Sequence, residues 1–275
     1  MAPATNGGPI SYPSGPMARE IHIDSVDEIQ RPIIAISHDY PDGHVVKPHH
    51  HRRGQLISSA TGVIVLSTAG GSWVMPSQRG MWIPPATEHH VRMVGAVSVQ
   101  SLYIEPHAIP GLPSHCQVVG ISPFMRGLIT EALSLPLEYE LEGREGALMQ
   151  LIEYEMQQLP VLPLSLRYPA HGPLSARCRQ FVERPNIHET IDEWADAVGV
   201  SRRSFTRLFR RETAMSFVAW RQQACLLCAM PRLAAGEAVT SIAIDLGYEN
   251  PAAFTLMFRR AFGSPPLAYL GLRRG

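Results

Sequence analysis

The sequence predicts an α+β chain of two domains, an N-terminal β-barrel with trailing helices followed by an all-α domain with two helix-turn-helix units. Three observations carry this. Residues 20 to about 108 are short apolar stretches broken by Gly and Pro turns, whereas everything beyond residue 173 has helical periodicity. The ladder Ser201…Phe205-Thr206…Phe209-Arg210-Arg211 returns 49 positions later as Asn250…Phe254-Thr255…Phe258-Arg259-Arg260, a repeated supersecondary unit. Formal charge, zero overall, is divided. Residues 1–165 carry nine Lys and Arg against fifteen Asp and Glu, net −6, and residues 166–275 carry fifteen Arg against nine acids, net +6. A basic module joined to an acidic one suggests a nucleic-acid partner for the basic half.

At 275 residues and 45% apolar content the chain suits two soluble domains. No apolar run approaches the ~18 residues that span a bilayer, so no membrane is expected. Residues 1–19 hold Gly, Pro, Ser and Asn without a cationic start and an apolar stretch. They read as a disordered tail rather than a signal peptide, and a cytoplasmic location follows. Four cysteines are scattered. Cys225 and Cys228 stand three apart in an apolar helix with no second Cys or His pair nearby, which reads as buried thiols, not a metal site.

The first domain is expected over 20–165. Its strands include Ile33-Ile34-Ala35-Ile36, Gly62-Val63-Ile64-Val65-Leu66, Gly71-Ser72-Trp73-Val74-Met75, Met81-Trp82-Ile83 and Val97 to Ile104, spaced as in a barrel or sandwich. A helix follows from roughly Ser122 to Leu133. A second carries Leu148, Leu151, Ile152, Met156 and Leu159 on one stripe. Such a pair either covers the barrel or forms a homodimer with its copy, and the stripe fits both. Pro160, Pro163, Pro169 and Pro173 then punctuate the chain, with a linker at 166–173.

The second domain, 174–275, holds the repeated units. Thr190 with Glu193 forms a capping box before Trp194-Ala195…Val198-Gly199. Ser201 caps the next helix, which buries Phe205, Leu208 and Phe209 and turns Arg202, Arg203, Thr206, Arg207 and Arg210 outward. Arginine forks match guanine O6/N7 and also clamp phosphates. In the second copy Asn250 caps and Pro251 takes the first helical position. Its outward face, Ala252, Ala253, Thr255 and Leu256, is nearly apolar and either touches thymine methyls or reads nothing, while Arg259 and Arg260 suit phosphates. These residues, with the caps Ser201 and Asn250, are the expected DNA-binding set, and the first unit should carry most sequence discrimination. Between the copies, Ser216 to Ala235 reads as one helix, about 30 Å long, near the ~34 Å between successive major-groove faces. Pro231 should kink it or cost ~3 kcal/mol.

Residues 174–270 resemble the AraC/XylS family of transcription regulators. The segments Ile191-Asp192-Glu193-Trp194-Ala195, Val198-Gly199-Val200-Ser201-Arg202-Arg203, Arg207 to Thr213, Ile242-Ala243…Leu246-Gly247-Tyr248 and Phe254…Phe258-Arg259-Arg260…Phe262-Gly263…Pro265-Pro266…Tyr269 carry the likeness. It implies double-stranded DNA, a small-molecule effector and RNA polymerase as partners. Three positions depart from the pattern. Ala214 replaces a helix-ending Gly, Leu256 replaces a frequent base-contacting polar residue, and Pro231 is unusual.

In the first domain, Gly43, His49, His51, Gln55 and Gly62 fit G-x5-H-x-H-x3-E-x6-G with Gln in the Glu slot. Pro84-x-Ala86-x2-His89 fits P-x-G-x2-H with Ala in the Gly slot. Both resemble cupin motifs, which implies a cupin-like sensing barrel. The stretch His51 to Leu56 with Trp82-Ile83-Pro84-Pro85 resembles regulators often linked to control of export genes. On a strand His49 and His51 share a face, with His50 and His90 outward. Three imidazoles plus an amide oxygen suit Zn, Ni, Fe or Mn. The same residues equally suit direct contact with an effector, or plain polar lining. Trp82 and Tyr103 read as core. The favoured function is a regulator responding to a small molecule, without catalysis. The competing one is a metal-dependent cupin enzyme carrying a basic helical arm. Against the latter, Gln55 replaces a carboxylate and no acid/base pair stands near the motifs.

Overall fold

Apolar residues recur through the first half in runs of strand length, and the chain pairs them into two antiparallel sheets. The structure is a computed structural model describing residues 27–271, so the tail expected at 1–19 lies outside the described residues. Strands β1 (Ile33–Tyr40), β2 (Val45–His49), β3 (Gly54–Ser59), β4 (Val63–Thr68), β5 (Gly71–Pro76), β6 (Arg79–Ile83), β7 (His89–Val94), β8 (Val97–Ile104) and β9 (Gln117–Gly120) follow in order. One sheet contains the run β1-β8-β3-β6-β9 and the other β5-β4-β7-β2. Between β3 and β4 the chain reverses at Gly62, whose φ is +69° and whose missing Cβ would stand 2.8 Å from the Val94 carbonyl. Only glycine meets both demands.

Helix α1 (Pro123–Ser134) begins where Ser122 Oγ accepts from Met125 N at 3.0 Å. With α2 (Arg144–Met156) it buries Met125, Leu128, Ile129, Met149, Ile152 and Met156 against Leu56, Trp82, Leu102 and Ile104 of the larger sheet. Covering is thus what this pair does. The buried stripe differs by one residue from the expected one. Met149, not Leu151, faces the sheet, and Leu151 is 44% exposed. Ladders starting at Leu148 and Met149 are both apolar, about 100° apart around the helix, and the sheet selects the second.

The proline-punctuated stretch from Pro160 carries structure of its own, and its second strand reaches into the linker expected at 166–173. β10 (Val161–Leu162) pairs with β9, and β11 (Ser165–Arg167) pairs with β5, adding an edge strand to each sheet. The prolines around β10 are compatible with this because an edge strand needs only half its hydrogen-bonding groups.

Seven helices follow among the described residues: α3 (Gly172–Glu183), α4 (Ile191–Val198), α5 (Arg202–Thr213), α6 (Phe217–Ala234), α7 (Val239–Asp245), α8 (Pro251–Phe262) and α9 (Pro266–Tyr269). Their core is aromatic. Phe181, Phe205, Phe209, Phe217 and Trp220 surround Trp194, all buried, with centroids 4.9–6.4 Å from its ring. Rings at such spacings add ~0.5–1.5 kcal/mol per pair beyond area burial.

Helix α6 also rests on the smaller sheet. Trp220 Nε1 donates to Arg167 O at 3.0 Å, and Gln223 Nε2 to Ser165 O at 2.6 Å. Pro231 does not end α6. It is buried inside the helix, in a cleft shared with Val65, Val74 and Leu166 of the sheet. Packing of the ring there offsets the amide hydrogen bond the helix forgoes.

Candidate nucleic-acid interface and barrel site

Each helix-turn-helix unit is built from its turn outward. α4 opens on the capping box, Thr190 Oγ1 accepting from Glu193 N at 3.2 Å and Glu193 reaching back to Thr190 N at 2.7 Å. It closes on Gly199, left-handed at φ 74°. Ser201 then caps α5, its Oγ accepting from Ser204 N at 3.2 Å. In the second unit Gly247 (φ 85°) turns the chain, and Asn250 Oδ1 accepts from Ala253 N at 2.8 Å to start α8. Both caps are thereby committed to their helices.

The outward faces are free in both units. Arg202, Arg203, Thr206, Arg207 and Arg210 of α5 are exposed, as are Ala252, Ala253, Leu256, Arg259 and Arg260 of α8, while Thr255 is half-buried. The arginines are not equivalent. Arg202 is held by Asp192 Oδ2 at 2.7 Å, whereas Arg203, Arg207, Arg210, Arg259 and Arg260 pair with no acid among the described residues. Thr206 Oγ1 donates to Arg202 O at 2.9 Å and so turns back on its own helix. At the end of α5, Ala214 takes the left-handed conformation (φ 59°) that its place in the sequence demanded.

The four barrel residues also converge. His49, at the end of β2, is the cross-strand partner of His89 on β7, with ring centroids 4.4 Å apart. His51 joins them from the connection into β3, 5.3 Å from the His89 ring. The expectation that His49 and His51 share one strand face is corrected, since β2 stops at His49. A register shift between Val46 and His49 precedes that end, and the chain then swings His51 in from outside the ladder. One ring nitrogen from each of the three histidines lies within 4.8 Å of the other two. His50 and His90 are exposed, as their alternation implied.

Each ring is oriented by a carbonyl two residues away. His49 Nδ1 donates to Lys47 O (2.8 Å), His51 Nδ1 to Arg53 O (2.5 Å) and His89 Nδ1 to Thr87 O (2.8 Å). A carbonyl can only accept, so each Nδ1 carries a proton, and in a neutral ring Nε2 is then the acceptor. His89 Nε2 is buried without a hydrogen-bond partner. Burial holds the His89 imidazole down at about 4 and lowers His51 below its ordinary value.

Gln55 sits opposite Tyr103 in the β3–β8 pair. Its Oε1 lies 3.0 Å from His51 Nε2, and its amide nitrogen donates to Ser101 Oγ (3.0 Å) and Tyr103 Oη (2.9 Å). Tyr103, expected as core, is buried yet belongs to this cluster, its ring 5.4 Å from that of His51. Ser101 and Tyr103, two apart on β8, share one face of that strand. Trp82 is core as expected. Nearby, Arg53 is fully buried, ion-paired to Glu105 (2.6 Å) and Asp27 (3.8 Å), with Arg52 also on Glu105. These acids are thus engaged by arginines, and among the described residues no carboxylate joins the histidine cluster.

A polar histidine cluster in a sheet domain, joined to two capped, arginine-edged helix-turn-helix units, defines a DNA-binding protein with a second, sheet-built half. Family descriptions match both halves: Helix-turn-helix domain over residues 194–271 and AraC-like ligand binding domain over 31–152. The HTH-type transcriptional regulator NimR of Escherichia coli (strain K12) is 32% identical over 222 residues, covering 81% of each chain. Among solved structures, fatty-acid-bound ToxT from Vibrio cholerae aligns over 88% of this chain and 98% of its own (9% identity, TM-score 0.38). The DNA-binding domain of AdpA in complex with a target DNA aligns over 36% of this chain and 90% of its own (29% identity, TM-score 0.33). The chain belongs to the AraC family of transcriptional regulators. No described helix is long and apolar enough to cross a membrane.

Proposed function

We propose that this regulator reads its operator mainly through α5, clamps the neighbouring groove through α8, and is tuned by a small molecule that enters the barrel beside His49, His51, Gln55 and His89. The observation that carries the reading is the row of exposed, acid-free guanidinium groups at Arg203, Arg207 and Arg210 on a rigid, capped helix. Arginine forks discriminate guanine, worth ~1–3 kcal/mol per good bidentate pair. Arg259 and Arg260 hold phosphate, and Ala252, Ala253 and Leu256 have only methyl groups to meet thymine.

The route from sensor to DNA is short. α6, which joins the two units, lies directly on β4, β5 and β11, so a change in barrel packing reaches both recognition helices through one element. Sensing by binding rather than turnover agrees with the missing carboxylate in the cluster. In this reading the protein acts in the cytoplasm, contacts RNA polymerase from its DNA-bound position, and pairs with a second copy through the exposed Leu151 and Tyr154 of α2.

The test is fluorescence anisotropy of the full chain on duplexes selected from a random pool. Affinity should fall steeply between 50 and 200 mM salt, on the order of a hundredfold or more, as arginines release phosphate counterions. A flat response contradicts the DNA contacts assigned here. Footprints with and without candidate effectors test the sensing half, and identical footprints across a broad panel would count against it.

A further inference from the structure

We infer that the loop between α3 and α4, residues 184–190, braces the two helix-turn-helix units into one rigid reading head, with Glu189 and Gly247 as positioning residues that set the spacing of the operator. This rests on the reading of α5 and α8 as the two DNA contacts and adds what fixes the distance between them.

The loop first shapes itself. Asn186 Oδ1 accepts from His188 N at 2.9 Å, and Glu189 N donates to Asn186 O at 3.2 Å. A turn closed by its own Asn side chain needs no partner outside the loop. Its foot is then pinned to the first unit. One oxygen of the Glu189 carboxylate accepts from Arg177 Nη2 of α3 and from Trp194 Nε1 of α4, each at 2.5 Å. The Glu189 carbonyl accepts from Arg221 Nη1 of α6. Three helices thus meet on one residue. The Arg177 guanidinium also lies over the Trp194 ring, 4.6 Å from its centroid, so acid, cation and ring hold one another. The Arg177 and Glu189 side chains are only 20% and 21% exposed, and charge-assisted hydrogen bonds so far from water are the strong ones.

The head of the loop reaches the second unit. Ile187 N donates to Leu246 O at 2.9 Å, just past the end of α7. A Cβ on the next residue, Gly247, would stand 2.6 Å from Asn186 Oδ1 and 3.0 Å from His188 Cδ2. That glycine is therefore fitted to the loop as well as to its own left-handed turn at φ 85°. Three residues on, Asn250 caps α8, so the brace acts at the base of the second recognition helix. The other connection between the units, α6, carries Pro231, where a helix lacks a hydrogen bond and can bend. With the loop in place the units are joined at two points. α8 cannot swing about the end of α6 without parting Ile187 from Leu246.

Two contacts on one rigid body reinforce each other only at the span that body sets. One base pair added between the operator elements moves the second by ~3.4 Å along the duplex and turns it by about 35° around the axis. Spacing is therefore the quantity that reports the brace.

The experiment is fluorescence anisotropy of the full chain on the selected operator and on versions with one or two base pairs added or removed between its two elements. The natural chain should bind best at one spacing and lose on the order of tenfold or more for a single base pair either way. Glu189→Ala and Gly247→Ala should each cut that penalty to about threefold or less, with weaker binding at the original spacing and unchanged base preferences inside each element. Glu189→Gln, which keeps an oxygen for Trp194, should fall between. A variant that only destabilised the fold would lose affinity at every spacing alike. If Glu189→Ala fails to fold, as judged by circular dichroism, Glu189→Gln and Gly247→Ala decide. A natural chain indifferent to spacing overturns the inference, as do variants that keep the sharp natural profile. A pool that yields no two-element operator overturns this inference together with the division of labour between α5 and α8, whereas a two-element operator with a flat spacing profile overturns this inference alone.

Discussion

The two helix-turn-helix units share a scaffold and part company on the surface they offer to DNA. In each, a capped helix buries two phenylalanines four residues apart, Phe205 with Phe209 and Phe254 with Phe258, all fully buried. Each helix ends on a left-handed residue, Ala214 or Gly263. Outward, α5 shows guanidinium groups from its first turn, whereas α8 shows methyl groups until Arg259. A repeat that conserves its inside and varies its outside separates folding from recognition. Mutations can then be chosen that touch one and leave the other alone.

The largest effects should be equal in the two copies. Phe205→Ala and Phe254→Ala each remove a fully buried ring and should cost ~3–5 kcal/mol of stability, measured by chemical denaturation. A difference of more than ~2 kcal/mol between them would break the equivalence of the scaffolds. Next come the DNA contacts, where the units should diverge. Arg207→Ala should lose ~1–3 kcal/mol of preference for the selected operator over a mismatched one. Arg202→Ala should lose less, because Asp192 already holds that side chain, and anisotropy with paired duplexes separates the two. The caps come third. Ser201→Ala and Asn250→Ala should each cost about 1 kcal/mol in thermal or chemical unfolding; no loss from either would mean that its helix is set by packing alone.

The smallest effect concerns the helix ends. Ala214 sits at φ 59° where Gly263 sits at φ 82° in the copy. An L-residue with a Cβ is strained there, so Ala214→Gly should stabilise by about 0.5–1 kcal/mol and Gly263→Ala should destabilise by a similar amount. A loss from Ala214→Gly would show that chain entropy outweighs the relief of strain.

Legibility in the sequence follows the same division. The helical half was readable nearly to the residue because its signals are local. Caps at Thr190, Ser201 and Asn250, turns at Gly199 and Gly247 and a period of 3.6 are all set within a few positions. The sheet half depends on partners far along the chain. β10 and β11 exist only because β9 and β5 offer free edges, so a proline-rich stretch looked like linker. Both ladders on α2 were apolar, and only the sheet beneath could choose Met149 over Leu151. The four barrel residues were found through their spacing, but not the end of β2 at His49. The approach of Tyr103 to Gln55 was hidden too, because it depends on the β3–β8 register.

The division of labour between the two recognition helices is tested most directly by selecting operators from a random duplex pool with three proteins in parallel: the natural chain, Arg207→Ala and Leu256→Ala. A guanine-bearing element that vanishes with Arg207→Ala, and that Leu256→Ala leaves intact, is expected about one helical turn from a weaker, thymine-tolerant element. A consensus unchanged by Arg207→Ala, or one erased by Leu256→Ala, would contradict it.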